Sequence, residues 1–460
     1  MSQSCLPEGI IFNTQDQIDN FQVNYPNCTK IEGNVTIQGY ISITNLIGLN
    51  MLTSIGGYLK IRDHFNLPSL TGLQNLNSIN GSLIIENNRS LTNLHGLNDL
   101  TTIGNKLWID NNFILCDLTD LNNLDSIGGD IDIQQNDSLR NLIGLSSLDS
   151  VNGDIWIHYN SSLSSLAGLE NLTFIGGELR ITGCDSLTNY FGLSNLKTIG
   201  GNFDSFSNDH LKSFNGLDSL SSIGGKLLIS YCDSLINFTG LENLHYLSGT
   251  FEIRSNDGLN NFIGLSKLES VGGNLEIYFN NALTSLIGLE KVTSIGGDLI
   301  IGAEWYGGND MLLTLEGLEN INSSTIEDLT ITYNNSLSQC EIISICDYLL
   351  APNGEILIHD NNTGCNSQLE VEYACAVDVS EINSKPEITI YPNPAKNDLF
   401  ISSKTGIVIN EVTIYNKLGQ NVLQLNVKNN KVNISKVKQG IYFIILTSNK
   451  LKIRKKLVIK

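Results

Sequence analysis

The chain has 460 residues and carries 27 Lys and Arg against 47 Asp and Glu, a formal charge of −20. Residues 381–460 hold 14 basic and 4 acidic side chains, a net of +10, so the first 380 residues carry −30. So acidic a body repels phosphate backbones, which disfavours nucleic acid as a partner, and apolar runs as short as Ile441 to Leu446 provide no transmembrane segment.

Residues 1–34 read as an N-terminal cap. Cys5 and Cys28 flank a short helix whose start carries a capping box, Thr14 to Gln17, with Ile18 and Phe21 facing inward. A bridge between the two cysteines would close the first coil. Met1 to Cys5 has neither the basic start nor the apolar stretch of a signal peptide. The reading frame is therefore expected to begin upstream, with the mature chain starting near Gln3 or Ser4.

Residues 35–336 are a repeat. Gly-Leu recurs every 24 residues from Gly48 to Gly288, with Asp120-Leu121 in place of one pair, and returns at Gly317 after an insert around Ala303 to Asp310. One copy shows the logic. Leu67, Leu70, Leu73, Leu76 and Ile79 stand three apart, and Leu83 and Ile85 stand two apart. Spacing of two predicts a short strand with one buried face, and spacing of three suits extended or 3₁₀-like edges. Fourteen equivalent strand positions run from Val35 to Ile356, a stack on the order of 60 Å long at roughly 4.8 Å per strand. The fold expected is all-β: a right-handed parallel β-solenoid with short capping helices, followed by a small antiparallel β-sandwich.

Three residues after the second strand position lies a polar column of Asn88, Asn112, Asn136, Asn160, Asn208, Asn256, Asn280, Asn334 and Asn361. A side chain there turns inward and satisfies backbone groups at a bend. Cys184 and Cys232 share the column two coils apart, about 9.6 Å, beyond disulfide reach, and are expected to be buried and reduced.

Residues 337–376 read as a C-terminal cap. Ser338 to Glu341 predicts a capping box opening a helix near 339–350, ended by Pro352 and Gly354. Cys340 and Cys346 pair with Cys365 and Cys375 in one of two connectivities, and Cys116 is left odd. Bridged ends favour an oxidising compartment. A linker at 377–386 leads to six or seven alternating short strands over 387–460.

An enzyme gathers acid, base or nucleophile on one surface. The six histidines fall in different registers, and no zinc spacing, phosphate loop or nucleophile elbow is present, so no catalytic residue, metal or cofactor is expected. The outward face of the strands is richer. One row contains Trp108, Asp132 and Trp156, the next His158, Phe206 and Tyr278. Aromatics among charges are what interfaces enrich, and these six are the candidate ligand-binding residues, although outward aromatics also pack on neighbours within a sheet.

Two stretches resemble known families. Cys28 to Ile37, Leu46-Ile-Gly-Leu49 and Ile55-Gly-Gly57 resemble the receptor L domain, the leucine-rich-like ligand-binding unit of insulin and epidermal growth factor receptors. That resemblance implies the scaffold and not receptor signalling. Tyr391-Pro392-Asn393-Pro394, Asp398 to Ile401, Gly419 to Val422, Gly440-Ile-Tyr442-Phe443 and the basic Arg454-Lys-Lys456 resemble the C-terminal sorting domain of type IX secretion in Bacteroidetes. This implies export through that machinery and cleavage near residue 380 as the cargo is released or attached to the cell surface. The function expected is an exported, non-enzymatic repeat protein binding a protein or glycan through its strand sheet. The alternatives are a secreted β-helix enzyme acting on polysaccharide and a passive spacer or adhesin stalk.

Overall fold

The computed structural model describes residues 3–304, 307–377, 388–403, 408–416, 421–448 and 452–460. Trp305, Tyr306, Gly419, the proposed cleavage region near 380 and almost all of the expected linker lie outside them.

Each copy makes one coil. In the strand Leu83–Glu86, Leu83 and Ile85 point inward and are fully buried, while Ile84 points out. The strand pairs in parallel with residues 24 earlier and 24 later, without a slip. Repetition builds a fifteen-stranded parallel sheet from Ile10–Phe12 to Ile356–His359. The extra strand beyond the fourteen expected is Ile10–Phe12, which pairs with Val35–Tyr40 from within the N-terminal cap. A second side of the coils is made of much shorter strands. They run in a six-stranded sheet from Gln3–Cys5 to Ser126–Ile127 and a seven-stranded one from Ser150–Val151 to Ser294–Ile295. The third side is turns, with 3₁₀ segments at Ile47–Leu49 and Thr119–Leu121, while the 3₁₀ segment Ser323–Thr325 continues the second side past Ser294–Ile295. Gly72 shows why Gly-Leu recurs there: its φ is +124°, and a Cβ would strike the Leu46 carbonyl of the preceding coil.

Leucine and isoleucine fill one continuous core along the rod. Midway, aromatic rings replace leucine in one row. Tyr190, Phe214, Phe238 and Phe262 stack face to face with centroids 5.5, 5.5 and 5.2 Å apart.

The polar column is a hydrogen-bonded ladder. Asn112 Nδ2 donates to the Ile85 carbonyl of the preceding coil at 3.0 Å, and its Oδ1 accepts from the Asn88 amide at 3.1 Å. The same pair of bonds recurs at Asn136, Asn256, Asn280 and Asn334. Two further members join it, His64 in register but not an asparagine, and Asn309 out of register. His64 heads the ladder, its Nε2 at 3.2 Å from the Ile37 carbonyl, and Asn309 carries it through the insert between Asn280 and Asn334. Cys184 and Cys232 are buried and free as expected, and burial pushes their thiols up to about 12 and about 11. Cys184 takes an Asn position but offers no oxygen to the Asn160 amide.

Both ends are bridged. Cys5–Cys28 ties the N-terminal cap at a Cα separation of 5.7 Å, and the Thr14–Gln17 capping box opens the helix Gln15–Asp19. At the other end the two candidate connectivities resolve as Cys340–Cys365 and Cys346–Cys375. The helix expected near 339 starts later, at Ile343–Leu350, and its N-cap Ile342 makes no side-chain cap. The Gln339 carbonyl instead accepts from the Leu315 amide and Cys340 is fixed in the core, so the chain stays extended past the Ser338–Glu341 motif. The helix Gln368–Val377 then carries Cys375. Residues 388–460 form two antiparallel sheets of three and four strands around a separate core.

The ladder makes a stability prediction. Asn112→Leu strands a buried carbonyl and a buried amide and should cost about 2–4 kcal/mol, since each unmade bond costs roughly 1–3. Cys184→Asn replaces the weak sulfur acceptor of the Asn160 amide with an oxygen and should gain about 1 kcal/mol. Urea unfolding midpoints would report both; equal midpoints for Asn112→Leu and the parent would refute the ladder's role.

Candidate functional site

Three adjacent strands, Leu107–Asp110, Ile131–Gln134 and Ile155–His158, pair so that Trp108, Asp132 and Trp156 stand side by side. Because Leu107, Ile109, Ile131, Ile133, Ile155 and Ile157 are all turned into the core, these three must point outward. They are not alone. Lys106, from the corner before its strand, reaches between the two indoles. Its Nζ lies 2.8 Å from Asp132 Oδ2 and 5.0 and 5.2 Å from the ring centroids of Trp108 and Trp156. An ammonium so placed is held by one carboxylate and two aromatic faces. Both indoles are half-buried by this packing rather than freely exposed, and Asp132 is only 6% exposed.

The cluster leaves polar atoms over. Among the described residues, the Trp108 and Trp156 indole nitrogens, Asp132 Oδ1 and His158 Nε2 are buried without a hydrogen-bond partner on the protein. His158 stacks on Trp156 with centroids 6.4 Å apart, and burial holds its imidazole below the usual histidine range. Asp110 lies on the same face, its carboxyl raised by burial and by the nearby charges of Glu86 and Asp132. Two N–H donors, a carboxylate oxygen and an imidazole nitrogen thus lie on three adjacent strands beside apolar ring surface.

Elsewhere the sheet face is closed by its own ion pairs. Lys60 binds Glu86 at 2.7 Å, Arg180 binds Asp204 at 3.0 Å, and Lys226 and Arg254 both bind Glu252. Tyr278 belongs to that closed region: it is 6% exposed and donates its hydroxyl to Glu252 Oε1 at 2.6 Å. Phe206 lies two coils beyond His158 and packs edge-on against Tyr231 at 5.2 Å. Of the six candidates the structure therefore gathers four, Trp108, Asp132, Trp156 and His158, and separates Phe206 and Tyr278 from them.

One feature of the face escaped the period-two reading. The residue after each strand adopts a left-handed conformation, and most coils place Asn, Asp, Gln, Ser or Gly there. Tyr159, Tyr231, Phe279 and Tyr333 take the same position with φ between +53° and +60°. For bulky side chains this costs roughly 1–3 kcal/mol each, and Tyr159, Tyr231 and Phe279 recover little by burial because they are 54%, 43% and 44% exposed. Their signal in the sequence is an aromatic immediately before the polar column.

Residues 27–126 match the family model of the receptor L domain. Residues 389–460 match that of the secretion system C-terminal sorting domain. No curated protein matches the chain. The sorting domain's Tyr-Pro-Asn-Pro motif clasps the last strand: Asn393 Nδ2 donates to the Lys456 carbonyl and its Oδ1 accepts from the Val458 amide, both at 2.8 Å. Tyr391, Pro392 and Pro394 flank that clasp, and the buried Tyr442 ring leans over Gly440, where a Cβ would come within 3.2 Å of it. A sorting tail behind a receptor L-domain solenoid makes this a secreted or surface-attached repeat protein. Among the described residues no helix is long and apolar enough to cross a membrane.

The Lys106 clamp is testable. Lys106→Met leaves the Asp132 carboxylate buried without its cation and should lower stability by about 3 kcal/mol. Asp132→Asn added to it should restore most of that loss. Thermal unfolding of the single and double variants checks the coupling, and additive losses would show that the pair does not interact.

Proposed function

We propose that this is a non-enzymatic protein, exported by the type IX machinery through its C-terminal domain, that binds a protein or glycan ligand with the outward face of its long sheet. The contact surface is the patch of Trp108, Asp132, Trp156 and His158. The observation that carries this reading is the pair of half-buried indoles flanking the Lys106–Asp132 ion pair, with both indole nitrogens, Asp132 Oδ1 and His158 Nε2 lacking a partner on the protein. Buried polar groups left unmade are destabilising by roughly 1–3 kcal/mol apiece. A ligand whose docking shifts the rings and meets these atoms recovers that loss, and the flat ring surface around them adds contact area.

The rigid scaffold suits this role. Strands joined in register on both sides hold the four side chains in place before any ligand arrives, so little ordering entropy opposes binding. The acidic solenoid favours neutral or cationic ligands, because anions meet a body of net −30 over residues 1–380.

Trp108→Ala with Trp156→Ala should abolish retention of the protein on its target surface, cells or their extracted matrix, and shift the melting temperature by only a few degrees. Unchanged retention by the double variant would sink the patch. Deletion of residues 389–460 should separately keep the chain from the culture medium and the cell surface, as read by mass spectrometry of the fractions.

A further inference from the structure

The patch is one end of a longer aromatic surface. Trp156 stacks on His158, and His158 meets Tyr159 edge-on with centroids 6.4 Å apart. From there the aromatics follow the edge of the sheet. Tyr159 lies over Gly183 of the next coil, where a Cβ would come within 2.6 Å of its ring. Three coils past Tyr159 comes Tyr231, supported by Phe206 at 5.2 Å and by the Arg254 guanidinium at 5.7 Å. Two coils farther is Phe279, lying over Gly307 with 3.3 Å to a Cβ built there. Each ring rests on a neighbouring coil and stays largely open to solvent. Beside the rings, on the far side of the buried ladder, runs an exposed column of carboxylates: Asp185, Asp209, Asp233 and Asp257. Here the partner's chemistry can be read from geometry and charge together.

Resting on the function proposed above, we infer that this surface is a track for an extended, neutral polysaccharide, running from Trp108 to Phe279. Seven coil steps separate the two ends, about 34 Å at roughly 4.8 Å per step. One step is close to the length of one hexose unit in an extended chain, so successive sugars meet successive coils. The axial C–H face of a pyranose is apolar with a slight positive charge and settles on the negative face of an aromatic ring. Its equatorial hydroxyls point sideways, where the exposed carboxylate column accepts from them. Sulfated or uronate chains are repelled by the same carboxylates. A bulky ring in a left-handed position disfavours the fold, and polar residues that tolerate that conformation serve in most other coils, so the track's rings answer to binding and not to stability.

The test uses the purified full chain and neutral oligosaccharides of two to eight units, from β-linked glucan, mannan and xylan, titrated by calorimetry. For the series that fits, Kd should fall at least tenfold between three and seven units and then level. Tyr231→Asn with Phe279→Asn places in the track the residue type found at that position in other coils. It should return the seven-unit Kd to the three-unit value while leaving three-unit binding intact and the melting temperature equal or higher. Affinity independent of length, or seven-unit binding unaffected by that double variant, overturns the track; three-unit binding still lost with Trp108→Ala and Trp156→Ala would in that case leave the patch standing. If no neutral oligosaccharide binds, or sulfated and uronate chains bind better, the track is wrong, and a protein captured through Trp108 and Trp156 would then be the ligand of the patch.

Discussion

At the end of nearly every strand of the long sheet the backbone swings through a left-handed residue and turns inward, and the groups exposed at that bend can be satisfied only by the coil next door. An inward asparagine donates to a carbonyl and accepts from an amide of the preceding coil, and its own amide is met by the asparagine of the next coil. Water cannot reach these atoms, so each coil depends on both of its neighbours. The rod must therefore end in caps, and both caps are bridged: Cys5–Cys28 at the start, Cys340–Cys365 and Cys346–Cys375 at the finish. Stacked leucines provide the bulk of the burial, but the ladder sets where each coil bends and hence where every outward side chain stands.

With the backbone held this way, the outer face of the sheet is free to vary, and its chemistry divides. Over most of its length acid and base in adjacent strands neutralise one another, as at Lys60 and Glu86 or Arg180 and Asp204. Around Trp108 and Trp156 the ion pair is enclosed by aromatic rings. One lysine serves both rings and one oxygen of Asp132, and both indole nitrogens, Asp132 Oδ1 and His158 Nε2 are buried without a partner on the protein. The basic sorting domain stands apart from this design, with its own core and its own antiparallel sheets. Its task is delivery, and the solenoid is the cargo.

Much of this was legible because the period is free of insertions from Gly48 to Gly288: a fixed 24-residue step with a two-residue alternation leaves one register for the strands. What was hidden has particular causes. Asn309 belongs to the ladder but follows an insert, so its offset from Asn280 is 29 rather than 24. Lys106 sits one place before the strand, outside the rows formed by alternating residues, and only the fold shows that it reaches Trp156 in a coil two steps on. The Ser338–Glu341 motif looked like a helix start because local chemistry was the only guide; pairing of Gln339 with Leu315 overrode it. Spacing alone left two disulfide arrangements in the C-terminal cap, and placement of Cys340 in the core chose between them. The aromatic column stands in the sequence one place before the polar column, but only the backbone angles show that its residues are left-handed.

The account's central claim is that the unpaired atoms between the two indoles are where the ligand sits. Indole N–H resonances of the full chain, labelled at tryptophan, measure this directly, since the protein has three tryptophans and two belong to the patch. On addition of a bound ligand the Trp108 and Trp156 signals should move together downfield, as each N–H gains an acceptor, while the Trp305 signal stays in place. Saturable binding that moves only Trp305, or none of the three, would contradict the account.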